Sequence, residues 1–227
     1  MNVFLDYFRQ MDWAGLTSFL TQGVAVLLCL TVHEVSHGLA AYALGDPTAK
    51  GERRLSLNPL RHLDFFGTLA MLLFGFGWAK PVPVDMRHFK RPKSGMAITA
   101  LAGPVSNLVL AFVALVLANM MLPLVYSTLW AERALNFLVA LASLSVGLGV
   151  FNLFPIPPLD GSKVLGSLLP DRIYYKILRY ERFGILALVA VLWTGILNAP
   201  LHNALNLVMD LLLMGTSWAQ EIGRLFI

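Results

Sequence analysis

Apolar residues in this chain fall into long runs, separated by short stretches of residues that stop helices. From Trp13 to Gly45 there is no Lys, Arg or Asp. A helix over Leu16–Leu44 rises ~1.5 Å per residue and is roughly 45 Å long, enough to cross a hydrocarbon core with tilt. Gly45-Asp-Pro47 ends it, because Gly and Pro terminate helices at little cost there. A second charge-free run, Ser94–Leu122, predicts a second helix, with a kink near Pro104 inside Ala102-Gly-Pro-Val-Ser-Asn107. Pro123 closes it, and the polar pair Glu132-Arg133 precedes a third helix over Ala134–Phe151. Two more spans are predicted, one within Tyr180–Leu197 and one over Leu201–Gln220, divided by Asn198-Ala-Pro200. Asp210 lies in the middle of the last.

The intervening stretches have their own pattern. Residues 1–14 mix aromatics with charges and read as a short interfacial segment. Phe65–Ala79 is apolar but short and Gly-rich, which suits a re-entrant element better than a span. Trp78–Val84 must be extended, since Pro81 and Pro83 exclude a helix interior and confine a strand to a sheet edge. Asn152-Leu-Phe-Pro-Ile-Pro-Pro-Leu-Asp-Gly161 carries three prolines that must break the helix before it. The expected fold is an all-α polytopic membrane protein of about five transmembrane helices. It has a small β element and a re-entrant segment on the cytoplasmic side. The chain reads as one domain, 1–227, with its core over 16–170 and additional spans over 171–227.

Composition agrees. The chain is 57% hydrophobic and 13% charged, with a mean hydropathy of +0.69, too apolar for a soluble domain of this length. The net charge of +4 raises nucleic acid as a partner, but the charge distribution excludes it. Nine of the 17 basic residues lie between Asp46 and Lys93, and five between Gly161 and Arg182. Clusters between apolar runs are the signature of cytoplasmic loops facing anionic headgroups. An odd number of crossings then puts the N-terminus outside and the C-terminus inside. The first apolar run lacks a basic leader and holds candidate chemistry, so it is not read as a cleaved signal. Cys29 is the single cysteine, which excludes an internal disulfide; it reads as a small buried thiol.

That chemistry is His33-Glu-Val-Ser-His37. Ionisable groups inside a span are costly and mark function by default. On a helix His33 and His37 share a face four residues apart, so both imidazoles reach one metal ion. Glu34 lies one step round, placed to act on a water rather than to ligate. A catalytic zinc takes three protein ligands and leaves one position open, so a third ligand must come from elsewhere. Candidates are Asp160, Asp64, Asp210, His62, His88 and His202. Asp160 is preferred because it sits where prolines unwind the chain at a membrane boundary, and irregular backbone at that depth needs a protein-lined or watery cavity. Its alternative role is an N-cap for Ser162–Leu169. His62 and His88, in basic loops, read as solvated or interfacial.

HEVSH at 33–37 and NLFPIPPLDG at 152–161 together resemble the site-2 protease family of intramembrane zinc metalloproteases. Gly45-Asp-Pro-Thr-Ala49, Leu57-Asn-Pro59, Gly77-Trp-Ala-Lys-Pro-Val-Pro-Val84 and Ala102-Gly-Pro-Val-Ser-Asn107 extend the resemblance to the compact prokaryotic members without PDZ or CBS domains. It covers about residues 20–170. The resemblance implies one Zn²⁺ per chain held by His33, His37 and Asp160, with Glu34 as general base. It implies a contact to the oxyanion or substrate from Asn152, whose alternative role is to cap the C-terminus of the third helix, and one to the substrate backbone from Asn107, whose alternative role is a bond between helices. The implied setting is a prokaryotic cell membrane, with the active site towards the cytoplasmic leaflet and a transmembrane protein as substrate. The extended Trp78–Val84 segment offers an edge to receive the substrate as an added strand, or else serves as a loop-shaping hairpin. Oligomeric state stays open. Two other classes compete: a helix-binding pseudoprotease or metal-binding transporter, and a protease of prenylated tails. Intact Glu34, nearly charge-free spans and the late Asp-Gly motif weigh against them.

Overall fold

The computed structural model describes residues 13–64, 67, 80–125 and 129–225. The predicted interfacial segment (1–14) and re-entrant segment (65–79) lie almost wholly outside the described residues. Among the described residues, three helices are long and apolar enough to cross a membrane. They are α1 (Trp13–Ala43), α3 (Pro92–Met121) and α4 (Leu129–Asn152), close to the sequence-predicted bounds. A single turn, α2 (Thr48–Gly51), follows α1. Beyond α4 come α5 (Asp160–Ser167), α6 (Asp171–Trp193), α7 (Asn198–Thr216) and α8 (Ala219–Arg224).

The helices pack through small residues. The buried core where α1, α3 and α4 meet holds Ala25, Cys29, Ala111, Ala114, Leu115, Ala142 and Val146. Lipid tails are as apolar as leucine, so helices gain little by hiding leucine from them. They gain by close backbone approach and by interhelical hydrogen bonds. Cys29 contributes one of these, its sulfur 3.0 Å from Ser145 Oγ, and it faces α4 rather than the metal candidates. Large apolar residues such as Val109, Leu186 and Trp193 point outwards, as a lipid-facing surface requires.

Two features differ from the sequence expectation. The predicted fourth and fifth spans are helices, but the segments Phe183–Trp193 and Asn198–Thr216 meet at a bend of 91°. Length and composition give three spans, or four if that bent pair is one. α6 begins nine residues before Tyr180, at Asp171, because Asp171-Arg-Ile-Tyr-Tyr-Lys-Ile-Leu-Arg179 is amphipathic and helical without being a span.

The second difference is the β element. Among the described residues no strand is longer than a single bridge residue, Leu63. The 80–85 segment is held by side chains instead of a sheet. Buried Arg54 donates to the carbonyls of Arg61, Lys80 and Pro81. Fully buried Asp46 accepts from the N–H groups of Thr48 and Asp85, and His88 Nδ1 lies 3.1 Å from its Oδ1. Burial alone would raise the Asp46 pKa, but the Thr48 and Asp85 donors and the His88 ring outweigh it and hold the carboxyl below its usual range. His62, expected to be solvated, is buried: its ring lies 2.7 Å from Ser56 O, and its carbonyl accepts from Lys80 N–H. The basic loop thus packs around its own backbone under α1.

Candidate active site

Helix α1 brings His33 and His37 to one face, one turn apart, their rings edge to face at 4.6 Å. The other half of the site comes through α4. Its helix ends at Asn152, and the proline-rich turn folds back so that α5 starts at Asp160. Gly161 makes that turn possible, since a β-carbon there would collide with the carbonyls of Leu153 and Phe154. Leu159, not Asp160, occupies the N-cap position. The Asp160 carboxylate instead turns inwards, its Oδ2 3.1 Å from His33 Nε2 and 3.2 Å from His37 Nε2. Burial disfavours this charge, but with protonated imidazoles facing it, as in the metal-free site, the Asp160 pKa stays well below the usual carboxylate range.

These atoms fit zinc. One ligand atom from each of His33, His37 and Asp160 lies within 4.8 Å of the others. Ligands at ~2.0–2.1 Å from a tetrahedral zinc stand about 3.3 Å from one another. The observed separations of 3.1 and 3.2 Å are the edges of such a tetrahedron. The donor set of two imidazoles and one carboxylate leaves a fourth position for water. His37 is oriented for the task, because Nδ1 lies 2.7 Å from the carbonyl of Thr99. A carbonyl only accepts, so the proton sits on Nδ1 and Nε2 keeps its lone pair.

Glu34 is half-buried and makes no contact that would count it as a ligand. Its Oε2 accepts from Val82 N–H at 2.8 Å, so the extended segment fixes the carboxylate beside the metal candidates. A cavity of about 380 Å³ joins these groups. Its walls are Glu34 and the histidines from α1, Met96, Thr99 and Ala100 from α3, Pro81, Val82 and Val84, and Asn152, Asp160 and Lys163. Leu178 and Glu181 of α6 complete it, and Lys163 Nζ lies 3.2 Å from Glu181 Oε1 and 4.0 Å from Asp160 Oδ1.

The remaining sequence candidates sit elsewhere. Asn152 lines the cavity, but its Nδ2 donates to Leu148 O at 3.0 Å in the helix behind it. Asn107 does not line the cavity; it is fully buried, with its amide 3.4 Å from His33 Nδ1. His88 pairs with Asp46, and His202 and Asp210 are exposed on α7. Asp64 accepts from Gly67 N–H. Sequence reasoning missed Lys163, Leu178 and Glu181. The i, i+3 spacing of Lys163 from Asp160 was the one available signal for them.

Comparison with known proteins supplies the class. A family model described as Peptidase family M50 matches residues 118–195. The chain is 38% identical over 192 residues to "Putative zinc metalloprotease YwhC" of Bacillus subtilis (strain 168), covering 84% of this chain and 88% of that one. The chain belongs to peptidase family M50, the site-2 proteases. Similarity extends to "Putative zinc metalloprotease Rip2" of Mycolicibacterium smegmatis, 29% identical over 85% of this chain and 73% of that one. It reaches "Putative zinc metalloprotease MJ0611" of Methanocaldococcus jannaschii, 32% identical over 65% of this chain and 70% of that one. No solved structure matches. The M50 match spans Asn152–Gly161, and with the apolar helices it makes the chain a multi-pass membrane metalloprotease.

Proposed function

We propose that this M50 member is an intramembrane zinc endopeptidase that hydrolyses peptide bonds within or beside transmembrane segments of other membrane proteins. The observation that carries the reading is the convergence of His33, His37, Asp160 and Glu34 on one cavity walled by three apolar helices. Zinc held by the three ligands would supply the Lewis acidity that lowers the pKa of a water to about 7. Glu34 takes a proton from a water as the water oxygen bonds to the scissile carbonyl carbon, and gives that proton to the leaving amine as the C–N bond breaks. Val82 N–H occupies Oε2 and so presents Oε1 for this transfer. Lys163, with Nζ 4.0 Å from Asp160 Oδ1, is placed to meet negative charge developing on the scissile carbonyl. Asn152 keeps its amide oxygen to accept from a substrate N–H.

The substrate must arrive locally unwound, because helical peptide groups are already hydrogen-bonded. The Val82–Val84 edge suits an extended peptide. Groups two residues apart on an extended chain face the same way, and both valines line the cavity. Pro81 and Pro83 have no N–H, and Val82 N–H serves Glu34, which leaves Val84 N–H as the donor for an incoming strand. The His33–Asp160 region lies at the ends of α1 and α3 that adjoin the basic 46–93 stretch. The positive-inside rule therefore supports a site towards the cytoplasmic leaflet, with one Zn²⁺ per chain.

The test is reconstitution of the full chain in liposomes with a single-span substrate. Cleavage is expected to stop on chelation and to return on adding zinc, with the cut mapped by mass spectrometry inside or beside the span. Binding of the substrate without cleavage by the zinc-loaded protein contradicts the reading and favours a pseudoprotease.

A further inference from the structure

The two histidines present Nε2 to Asp160, and to hold a metal there each needs its proton on Nδ1. Thr99 O settles this for His37. For His33 the facing group is the Asn107 amide, 3.4 Å from Nδ1, and Asn107 is completely buried. Its Oδ1 has no hydrogen-bond partner. With Nδ2 facing the ring, Nδ1 must accept. The proton then moves to Nε2, which can no longer ligate. The amide is nearly symmetric in shape, and a half-turn exchanges its oxygen and nitrogen at little steric cost. With Oδ1 facing the ring, Nδ1–H has an acceptor and Nε2 keeps its lone pair, while the amide nitrogen takes the place in which the oxygen is unpaired.

We propose that Asn107 is the positioning residue of His33, accepting from Nδ1–H through Oδ1 and so fixing Nε2 as the metal-binding atom. The inference rests on the zinc reading and deepens it. Thr99, Gly103 and Asn107 recur every four residues on one face of α3, as His33 and His37 do on α1. Thr99 anchors one imidazole, Asn107 anchors the other, and Gly103 between them leaves room for both rings. One face of α3 thus orients both ligands that α1 provides. Asn107 lies outside the cavity lining, which takes it away from the substrate backbone.

The test measures zinc affinity of the purified full chain by competition with a chromogenic chelator. Asn107→Leu is expected to weaken zinc binding about 10–100-fold, the usual effect of losing a partner of a ligating histidine. Asn107→Asp, which keeps an acceptor, is expected to bind much closer to the wild type. In ¹⁵N-histidine spectra of the zinc-loaded wild type, His33 is expected to carry its proton on Nδ1 and the metal on Nε2. Wild-type zinc affinity in Asn107→Leu, with a raised KM, would overturn the assignment in favour of a substrate contact. A His33 metallated on Nδ1 would overturn it as well, and this measurement decides the matter should Asn107→Leu not fold. A wild type that takes up no zinc would overturn the zinc reading itself, a result distinct from both.

Discussion

Glu34→Gln is expected to lower kcat by about 10²–10⁴-fold, the range for loss of a general base, with zinc content unchanged. Glutamine keeps the shape of glutamate, and its amide oxygen can still accept from Val82 N–H, so the extended segment stays in place. What is lost is a group able to take a proton from water. KM should move little, because Glu34 is placed against the reacting water rather than against the peptide flanks. The variant therefore separates chemistry from assembly. Cleavage at the wild-type rate in Glu34→Gln would remove Glu34 from the mechanism. Loss of zinc would make it a structural support of the ligands instead.

Gly103→Ala should lose both zinc and cleavage, although no ligand is changed. A β-carbon there would lie 2.5 Å from His37 Cε1 and 2.7 Å from His33 Cε1, and closer still to His37 Nε2. Both rings must then leave the positions that bring their Nε2 atoms to Asp160, or α1 and α3 must separate. Overpacking of this kind costs about 1–3 kcal/mol, and misplacing a reacting group by ~1 Å costs about 10²-fold in rate. Alanine is itself a better helix former than glycine, so circular dichroism should show α3 intact while zinc affinity falls at least tenfold. Gly147→Ala on α4 is the matched control, because nothing lies within 4 Å of the added carbon. Equal zinc affinity in the two variants would mean that the close approach of α1 and α3 does not matter to the site.

The spans of α1, α3 and α4 were legible because absence of charge over 20 or so residues has one physical outcome in a membrane protein. His33, Glu34 and His37 were legible for a related reason: their spacing is fixed by the helix, so sequence distance is spatial distance. Asp160 is 127 residues from His33, and in the sequence only the proline break that carries it, not spacing, points to it. Features that depend on how one element meets another were not legible in this way. Asn107 stood out as part of a motif, but only the fold shows it facing His33 instead of the cavity. Glu181 and Leu178 reach the site because α6 lies against the 153–159 turn, which nothing in residues 171–227 announces. The prolines of Trp78–Val84 announce an extended segment, yet the N–H groups of Val82 and Asp85 go to the Glu34 and Asp46 carboxylates rather than into a sheet. The 91° bend near Gly195 likewise reflects local turn geometry that hydropathy does not register.

The claim on which the rest depends is that α1 supplies half of a metal site and the Asn152–Gly161 turn supplies the other half. Zinc content of the purified full chain, wild type against Asp160→Asn, tests it most directly. The wild type should hold about one zinc per chain, as a three-ligand catalytic site does. Asp160→Asn should hold little after dialysis against a weak chelator, because two neutral imidazoles remain. Undiminished zinc in Asp160→Asn would contradict the two-half site and send the search for the third ligand to another carboxylate.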